Sequence, residues 1–136
     1  MTSEQGTGDD YGCERCWPHD AAAAWGARQG LAPVAELVHE SHYRVAILSC
    51  RHCRQNFLSV FTEMVDWALG KDPMYWTVVP VEADEVTALT DLKGAPREAD
   101  LEAMASDRRS LLRDFPEGAS KPTVGWGVGL RIGPHD

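Results

Sequence analysis

The sequence predicts one α+β domain, in which a small antiparallel sheet carries two or three packed helices and a site of four cysteines. Three observations lead to this fold class: two CxxC pairs, β-branched and aromatic segments between Tyr43 and Val81, and helical spacing of apolar residues beyond Ala83. The chain has 136 residues, enough for one ordinary domain and too few for two. We therefore expect a disordered tail over residues 1–12 and a single folded domain over residues 13–136.

The segment between the two cysteine pairs predicts helices. Ala21–Ala27 is mostly alanine and predicts one or two helical turns. Leu31–Glu40 places Val34, Leu37 and Val38 at the spacing of one helix face, so it also predicts a helix.

The middle of the chain predicts three strands. Tyr43–Leu48 is rich in β-branched and aliphatic residues and leads into the second cysteine pair. Phe57–Trp67 is apolar on both faces, which is typical of a central strand. The turn at Gly70–Pro73 then leads to a strand over Tyr75–Val81, and its shortness favours antiparallel pairing.

The last third predicts two helices and an extended tail. Ala83–Lys93 has apolar residues on one face, acids in its first turn and a lysine in its last. Glu98–Leu112 predicts a second helix, which can break near Ser106 and Asp107. Val124–Ile132 alternates glycine with larger apolar residues, as in a strand or an ordered extended segment.

The cysteines carry the clearest chemistry in the chain. They form two CxxC pairs, Cys13 with Cys16 and Cys50 with Cys53. Each short loop bends two sulfurs toward one point, and four thiolates complete the tetrahedral shell that Zn²⁺ prefers. A complete shell leaves no position for a reactive water, so we expect structural zinc.

These pairs, with the strands that flank the second one, resemble the broad zinc-ribbon class, in which two knuckles clamp one zinc above a small antiparallel sheet. The resemblance covers residues 13–81. The sequence departs from the class in its knuckles, which read CERCW and CRHCR rather than C-P-x-C-G. The 33 residues between the pairs also exceed the usual roughly 15–20, and an inserted helix over Leu31–Glu40 would account for the excess.

Histidines and acids leave a catalytic zinc site as an alternative. His39 and His42 are separated by two residues, and His52 lies inside the second knuckle, so each is a candidate ligand. A catalytic zinc would need an open position and a nearby carboxylate such as Glu63 or Asp66. Four cysteines favour the closed site instead, so we do not expect an enzyme.

Composition favours metal binding over disulfide or redox chemistry. The first twelve residues lack the basic start and the apolar stretch of a signal peptide, and no apolar run has the length of a membrane span. We expect a cytoplasmic protein, in which paired cysteines more often bind metal than form disulfides. A thioredoxin-type site is a weaker alternative, because Cys53 leads into a strand rather than a helix.

The charge of the chain favours a protein partner. Its net charge is −8, opposite to that of most proteins that wrap nucleic acid. Acids interleaved with aromatics around the predicted turn suggest a docking patch for a basic protein, although these rings can equally be core. The candidate residues are Glu63, Asp66, Trp67, Asp72, Tyr75 and Trp76.

Arginines supply a rival interface. Arg44, Arg51 and Arg54 surround the second knuckle and could contact phosphates, or could balance the charge of a zinc bound by four thiolates. At helical spacing Arg109 and Arg113 would lie one turn apart, and surface pairing with Asp107 and Asp114 is the simpler expectation.

The sequence thus predicts a non-catalytic, acidic, zinc-binding interaction module. One concrete form is a bacterial immunity or antitoxin-type protein that blocks a basic toxin enzyme. The first alternative is a nucleic-acid-associated zinc-ribbon regulator, and the second is a small zinc-dependent enzyme.

Overall fold

The computed structural model describes residues 11–70 and 72–135, which form a six-stranded antiparallel sheet and three helices. The strand order is β1-β2-β3-β4-β5-β6, so each strand pairs with its neighbour in the chain. The α+β class is confirmed. The strands are β1 (Ala32–Glu40), β2 (Tyr43–Ser49), β3 (Asn56–Glu63), β4 (Met74–Val81), β5 (Arg109–Phe115) and β6 (Thr123–Val128), and the helices are α1 (Ala21–Arg28), α2 (Ala83–Thr90) and α3 (Glu98–Ala103).

Three predicted strands and the glycine-rich tail strand are present. β2, β3 and β4 form the middle of the sheet, and β3 is nearly continuously buried, as its apolar pattern predicts. The predicted antiparallel pairing of β3 with β4 is confirmed, for example at Phe61 and Trp76. The strand predicted to reach Trp67 ends at Glu63, and the residues that follow form a loop.

The helix predicted over Leu31–Glu40 is wrong, because this segment is the edge strand β1. Its register against β2 shifts twice, between Pro33 and Ala35 and between Glu36 and Val38. Each bulge inserts an extra residue and breaks the two-residue alternation of a strand. Ala35, Leu37 and Val38 contact the core, whereas Val34, which the helix prediction placed on the same face as Leu37 and Val38, is 49 % exposed.

The second predicted helix is also wrong over most of its length. α3 ends at Ala103, and β5 begins at Arg109, inside the segment assigned to that helix. Ala105 has a positive φ of 59°, which stops helical geometry. The predicted break near Ser106 and Asp107 therefore lies in the turn between helix and strand.

The two faces of the sheet carry separate cores. One face, here called the helix face, buries Ile47, Leu58 and Val79 beneath α2, α3 and the C-terminal segment that contains Leu130. The opposite face, here called the cysteine face, buries Phe57, Val78 and Leu111 with α1 and the N-terminal cysteine segment. Metal ligands and the first helix therefore share one side of the sheet.

The predicted tail falls mainly on residues 1–10, which lie outside the described residues. Tyr11 donates a hydrogen bond to Glu82 at 3.1 Å, and the Gly12 N–H donates to Gln55 at 3.2 Å, so the chain contacts the domain from Tyr11 onward. No helix in the described part of the chain has the length and apolar character to cross a membrane.

Candidate metal centre

Two loops at one end of the sheet bring the cysteines together. The first pair precedes α1, where the Trp17 N–H donates to the Cys13 carbonyl at 2.8 Å. The second pair occupies the loop between β2 and β3, where the Arg54 N–H donates to the Cys50 carbonyl at 3.0 Å. Arg54 has a positive φ of 68°, at the position where a C-P-x-C-G knuckle carries its glycine. The unusual knuckle sequence thus adopts the ordinary knuckle turn.

The sulfur geometry fits one tetrahedral ion. Cys13 Sγ lies 3.7 Å from Cys16 Sγ and 3.8 Å from Cys50 Sγ. Cys16 Sγ lies 3.7 Å from Cys53 Sγ, and all four sulfurs lie within 4.8 Å of one another. A tetrahedron with metal–sulfur bonds of about 2.3 Å has edges of about 3.8 Å. These separations match that edge and are far longer than a disulfide bond of about 2.05 Å.

Backbone donors favour thiolates at the centre. The His52 N–H donates to Cys50 Sγ at 3.4 Å, and the Cys13 N–H donates to Cys16 Sγ at 3.3 Å. Burial opposes ionisation of Cys50, but the N–H groups of Cys53 and His52, with the neighbouring thiols, outweigh it and lower its pKa to about 7. Burial raises the pKa of the Cys16 thiol, so this sulfur needs a cation beside it to ionise.

The centre is closed by cysteine alone. Cys16 and Cys50 are buried, Cys13 is partly buried and Cys53 is exposed. All four are free thiols, and in the described part of the chain they are the sole group of three or more potential ligands that could hold a metal ion. Four sulfurs could fill the tetrahedral shell of one ion, which is the ligand set typical of structural zinc sites.

The histidines considered as ligands have other partners. His39 Nδ1 lies 2.7 Å from a Glu36 carboxylate oxygen, and His42 Nδ1 lies 3.1 Å from Glu63. His52 Nε2 contacts the Arg15 guanidinium at 3.1 Å. None of the three belongs to the sulfur cluster.

Tryptophan and arginine side chains pack together on the cysteine face, which the sequence analysis does not predict. The Arg109 guanidinium lies 3.9 Å from the centre of the Trp126 ring, and Trp126 packs edge-on against buried Trp17 at 5.0 Å. The Arg113 guanidinium lies at similar distances from the ring centres of Trp25 and Trp76, 5.0 and 4.8 Å. The surface-helix interpretation of both arginines is wrong. An even spacing also places residues on one face of a strand, and that signal could have indicated the alternative.

The six acidic and aromatic candidates do not form one patch. Tyr75 and Trp76 are consecutive in β4, so they face opposite sides of the sheet. Trp76 is partly buried and packs on Phe61 with 4.6 Å between ring centres. Glu63 lies at the end of β3 beside His42. The remaining three candidates, Asp66, Trp67 and Asp72, belong to the loop between β3 and β4.

The described part of that loop, residues 64–70 and 72–73, presents an exposed apolar tip on a hydrogen-bonded base. Trp67 is 90 % exposed and Leu69 is 68 % exposed. Asp66 accepts hydrogen bonds from the N–H groups of Ala68 and Leu69 at 3.1 and 3.0 Å, and Asp72 accepts from the Asp66 N–H at 2.7 Å. Hydrogen bonds to the Asp66 and Asp72 carboxylates therefore fix the backbone around Trp67, while its ring stays exposed.

The three arginines of the nucleic-acid alternative are divided. Arg51 and Arg54 are exposed on the second knuckle. Arg44 is exposed near the opposite end of β2, where it pairs in register with His39 and Phe61. Only two of the three therefore lie beside the metal centre.

In comparisons with family models, curated proteins and solved structures, nothing matches this chain. Its class is consequently defined by fold and site: an α+β protein in which a six-stranded antiparallel sheet carries a four-cysteine centre that could hold a metal ion.

Proposed function

We propose that this protein is a non-catalytic interaction module, stapled by Zn²⁺, that binds a basic protein through the loop between β3 and β4 that carries Trp67 and Leu69. The observation that carries the proposal is the 90 % exposed Trp67 on a loop whose backbone is held by Asp66. The concrete form is an immunity or antitoxin-type inhibitor of a basic enzyme.

Zinc suits the centre because of its ligands. Four thiolates in a tetrahedron select Zn²⁺ or an iron centre, and zinc has no redox chemistry that would disturb a structural site. A bound ion would cross-link the N-terminal segment to the loop after β2.

The ordered loop supports recognition of a partner. Tryptophan is enriched among residues that dominate binding energy, because its large ring loses much water-exposed area with little loss of conformational freedom. The hydrogen bonds to Asp66 already restrict the backbone, so a partner would not need to order it. Leu69 enlarges the apolar tip.

Charge supports a basic partner. The protein carries a net charge of −8, which speeds association with cationic surfaces and repels nucleic acid. Acids also flank the apolar tip within the loop, as Asp66 and Asp72. A basic rim around an apolar recess on the partner would complement this arrangement.

Affinity capture from the native cytosol tests the interaction, with wild type compared with a Trp67→Ser, Leu69→Ser variant. We expect wild type to retain a basic protein at low salt and the variant to lose it. The matched control is Leu92→Ser, Val128→Ser, which removes two other exposed apolar side chains outside the loop. A partner retained equally by both variants would place the interface elsewhere.

The nucleic-acid alternative keeps one supporting observation. Arg15, Arg51 and Arg54 are all exposed on the two knuckles, which makes this end of an acidic protein locally cationic. The same charges balance the −2 charge of an ion bound by four thiolates. Recovery of nucleic acid without a protein partner, lost in Arg51→Gln, Arg54→Gln, would favour this alternative.

A further inference from the structure

A depression on the cysteine face is separate from both the metal centre and the exposed loop. Its floor is formed by Ala46 of β2 and Ser59 of β3, which lie directly opposite each other in the sheet. Small side chains at two adjacent positions leave a cavity of about 380 Å³ between larger neighbours. That volume falls within the range of sites for small molecules, about 300–1,000 Å³.

One wall of the cavity carries the Arg28 guanidinium, whose hydrogen-bond partner, the Ser59 hydroxyl, is uncharged. Arg28, at the end of α1, donates from Nε and Nη2 to Ser59 Oγ at 3.3 and 2.8 Å. Among the described residues, no carboxylate forms an ion pair with it. Burial lowers the pKa of Arg28, since desolvation disfavours its charge. A ligand carboxylate would provide the missing counter-charge, and guanidinium groups bind carboxylates with paired hydrogen bonds.

Carboxylates occupy another part of the lining. Glu63 has a side chain 19 % exposed, and Glu36 lines the cavity from β1. The ion-pair partners that the described residues offer them are histidines, His42 for Glu63 and His39 for Glu36. A neutral histidine leaves the carboxylate charge in place, so this part of the cavity can attract a ligand cation.

Ser41, the exposed Arg44 and two aromatic rings form the rest of the lining. Phe61 and Trp76 lie opposite each other in β3 and β4, with ring centres 4.6 Å apart. Both contribute to the cavity. They offer an apolar surface next to groups of both charges.

We propose that this cavity binds a small zwitterion with an apolar or aromatic side chain, of the chemical class of a free amino acid. Its carboxylate binds Arg28, its ammonium group lies toward Glu63, and its side chain packs on Phe61 and Trp76. This binding is independent of the partner loop.

Three probes separate these requirements in titrations followed by calorimetry and by NMR of the arginine and indole N–H signals. L-Phenylalanine carries both charges and the ring. L-Phenylalaninamide lacks the carboxylate, and 3-phenylpropionate lacks the ammonium group. We expect L-phenylalanine to bind most tightly, with each analogue at least about 10-fold weaker, which corresponds to the loss of one charge-assisted hydrogen bond of about 1.5 kcal/mol or more.

Variants locate the binding. Arg28→Gln keeps a donor for Ser59 and removes the charge, so it should weaken L-phenylalanine about 10-fold or more and reduce its advantage over the amide. Ala46→Leu should block all probes by filling the floor without changing charge. Arg51→Gln, which removes a distant arginine, should leave binding unchanged, and thermal unfolding checks that each variant is folded.

Three results would overturn the proposal. The first is the absence of binding by every probe at millimolar concentration. The second is binding of 3-phenylpropionate as tight as that of L-phenylalanine, which would leave a simple anion site. The third is wild-type affinity in folded Ala46→Leu.

Discussion

Cys13 Sγ and Cys50 Sγ lie 3.8 Å apart although 37 positions separate them in the sequence. The contact joins the segment before α1 to the loop that connects two central strands, β2 and β3. A metal ion there would cross-link a long loop of the unfolded chain and would be bound only when both knuckles are in place.

Replacement of Cys50 by serine should remove the metal and most of the stability. Apparent zinc binding in small domains is worth about 10–16 kcal/mol, comparable to the whole stability of a domain, about 5–15 kcal/mol. We expect about one zinc per chain in wild type by metal analysis, and no sharp thermal transition in Cys50→Ser or after chelation.

Ser49→Ala is the matched control, because it alters the adjacent residue without removing a sulfur. It should retain the metal and change the free energy of unfolding by no more than about 0.5 kcal/mol. An unchanged thermal transition in metal-free wild type would contradict a structural role for the ion.

Arg54→Gly should stabilise the metal-bound protein. Left-handed geometry costs a residue with a side chain about 1–2 kcal/mol, and Arg54 adopts it with φ at 68°. Glycine removes this strain but adds about 0.4–1 kcal/mol of unfolded-state entropy, so the net gain should be about 0.5–1 kcal/mol in urea unfolding. Arg51→Gly removes the same charge where φ is not positive, and it should not stabilise. Equal effects of the two substitutions would point to charge rather than backbone strain.

Glu85→Gln should show how an ion pair fastens α2 to the turn before β5. Arg108 donates to the two carboxylate oxygens of Glu85 at 2.6 and 3.1 Å, and both side chains are largely shielded, 14 % and 21 % exposed. Burial alone would raise the pKa of Glu85, but the hydrogen bonds from Arg108 and from the Glu82 N–H outweigh it and lower this pKa. We expect a loss of about 1–3 kcal/mol at pH 7.

The pH dependence of this loss follows from the direction of the shift. The unfolded carboxyl group takes up its proton near its ordinary pKa of 4.5, before the folded one does. The stabilisation is therefore present above pH 4.5 and disappears as pH falls through the lower folded pKa. Urea unfolding at several pH values should show wild type and Glu85→Gln converging in acid, whereas Asp84→Asn, an exposed neighbour, should differ from wild type by no more than about 0.5 kcal/mol at pH 7. A constant gap between wild type and Glu85→Gln would contradict the ion pair as its source.

Gly129→Ala should destabilise the protein, whereas Gly125→Ala should not. A Cβ at Gly129 would lie 2.9 Å from the Ser106 carbonyl oxygen, and its φ is 78°. Steric overlap with backbone and left-handed strain together should cost about 1–3 kcal/mol. A Cβ at Gly125 meets nothing within 4 Å, so alanine there should be neutral or stabilise by up to about 1 kcal/mol. Similar changes in urea midpoint for the two variants would contradict the close approach at Gly129.

The cysteine quartet and the central strands follow from short-range patterns. The two residues between Cys50 and Cys53 determine a local turn. The residues of β3 are apolar on both faces, which by itself predicts a strand buried on both sides. These features need little information from distant parts of the chain, so sequence reasoning finds them.

β1 and β5 were mistaken for helices because their final form depends on neighbouring strands. The bulges between Pro33 and Val38 make core-facing residues recur at irregular intervals. These bulges form only when β1 pairs with β2. β5 pairs with β4 on one side and β6 on the other, which outweighs the helical pattern of the predicted segment Glu98–Leu112. Pairing partners that are distant in the chain cannot be read from a short window of residues.

Local chemistry in the sequence is therefore sufficient for the α+β class and the four metal-ligand candidates, since spacing and hydrophobicity act within a few residues. Tertiary packing decides that Trp76 is partly buried against Phe61 while Trp67 is exposed, and that Arg28 lies beside Ser59 at the cavity that Ala46 lines. Such contacts join strands and a helix that are remote along the chain, so they arise only when the sheet assembles and each side chain acquires its neighbours.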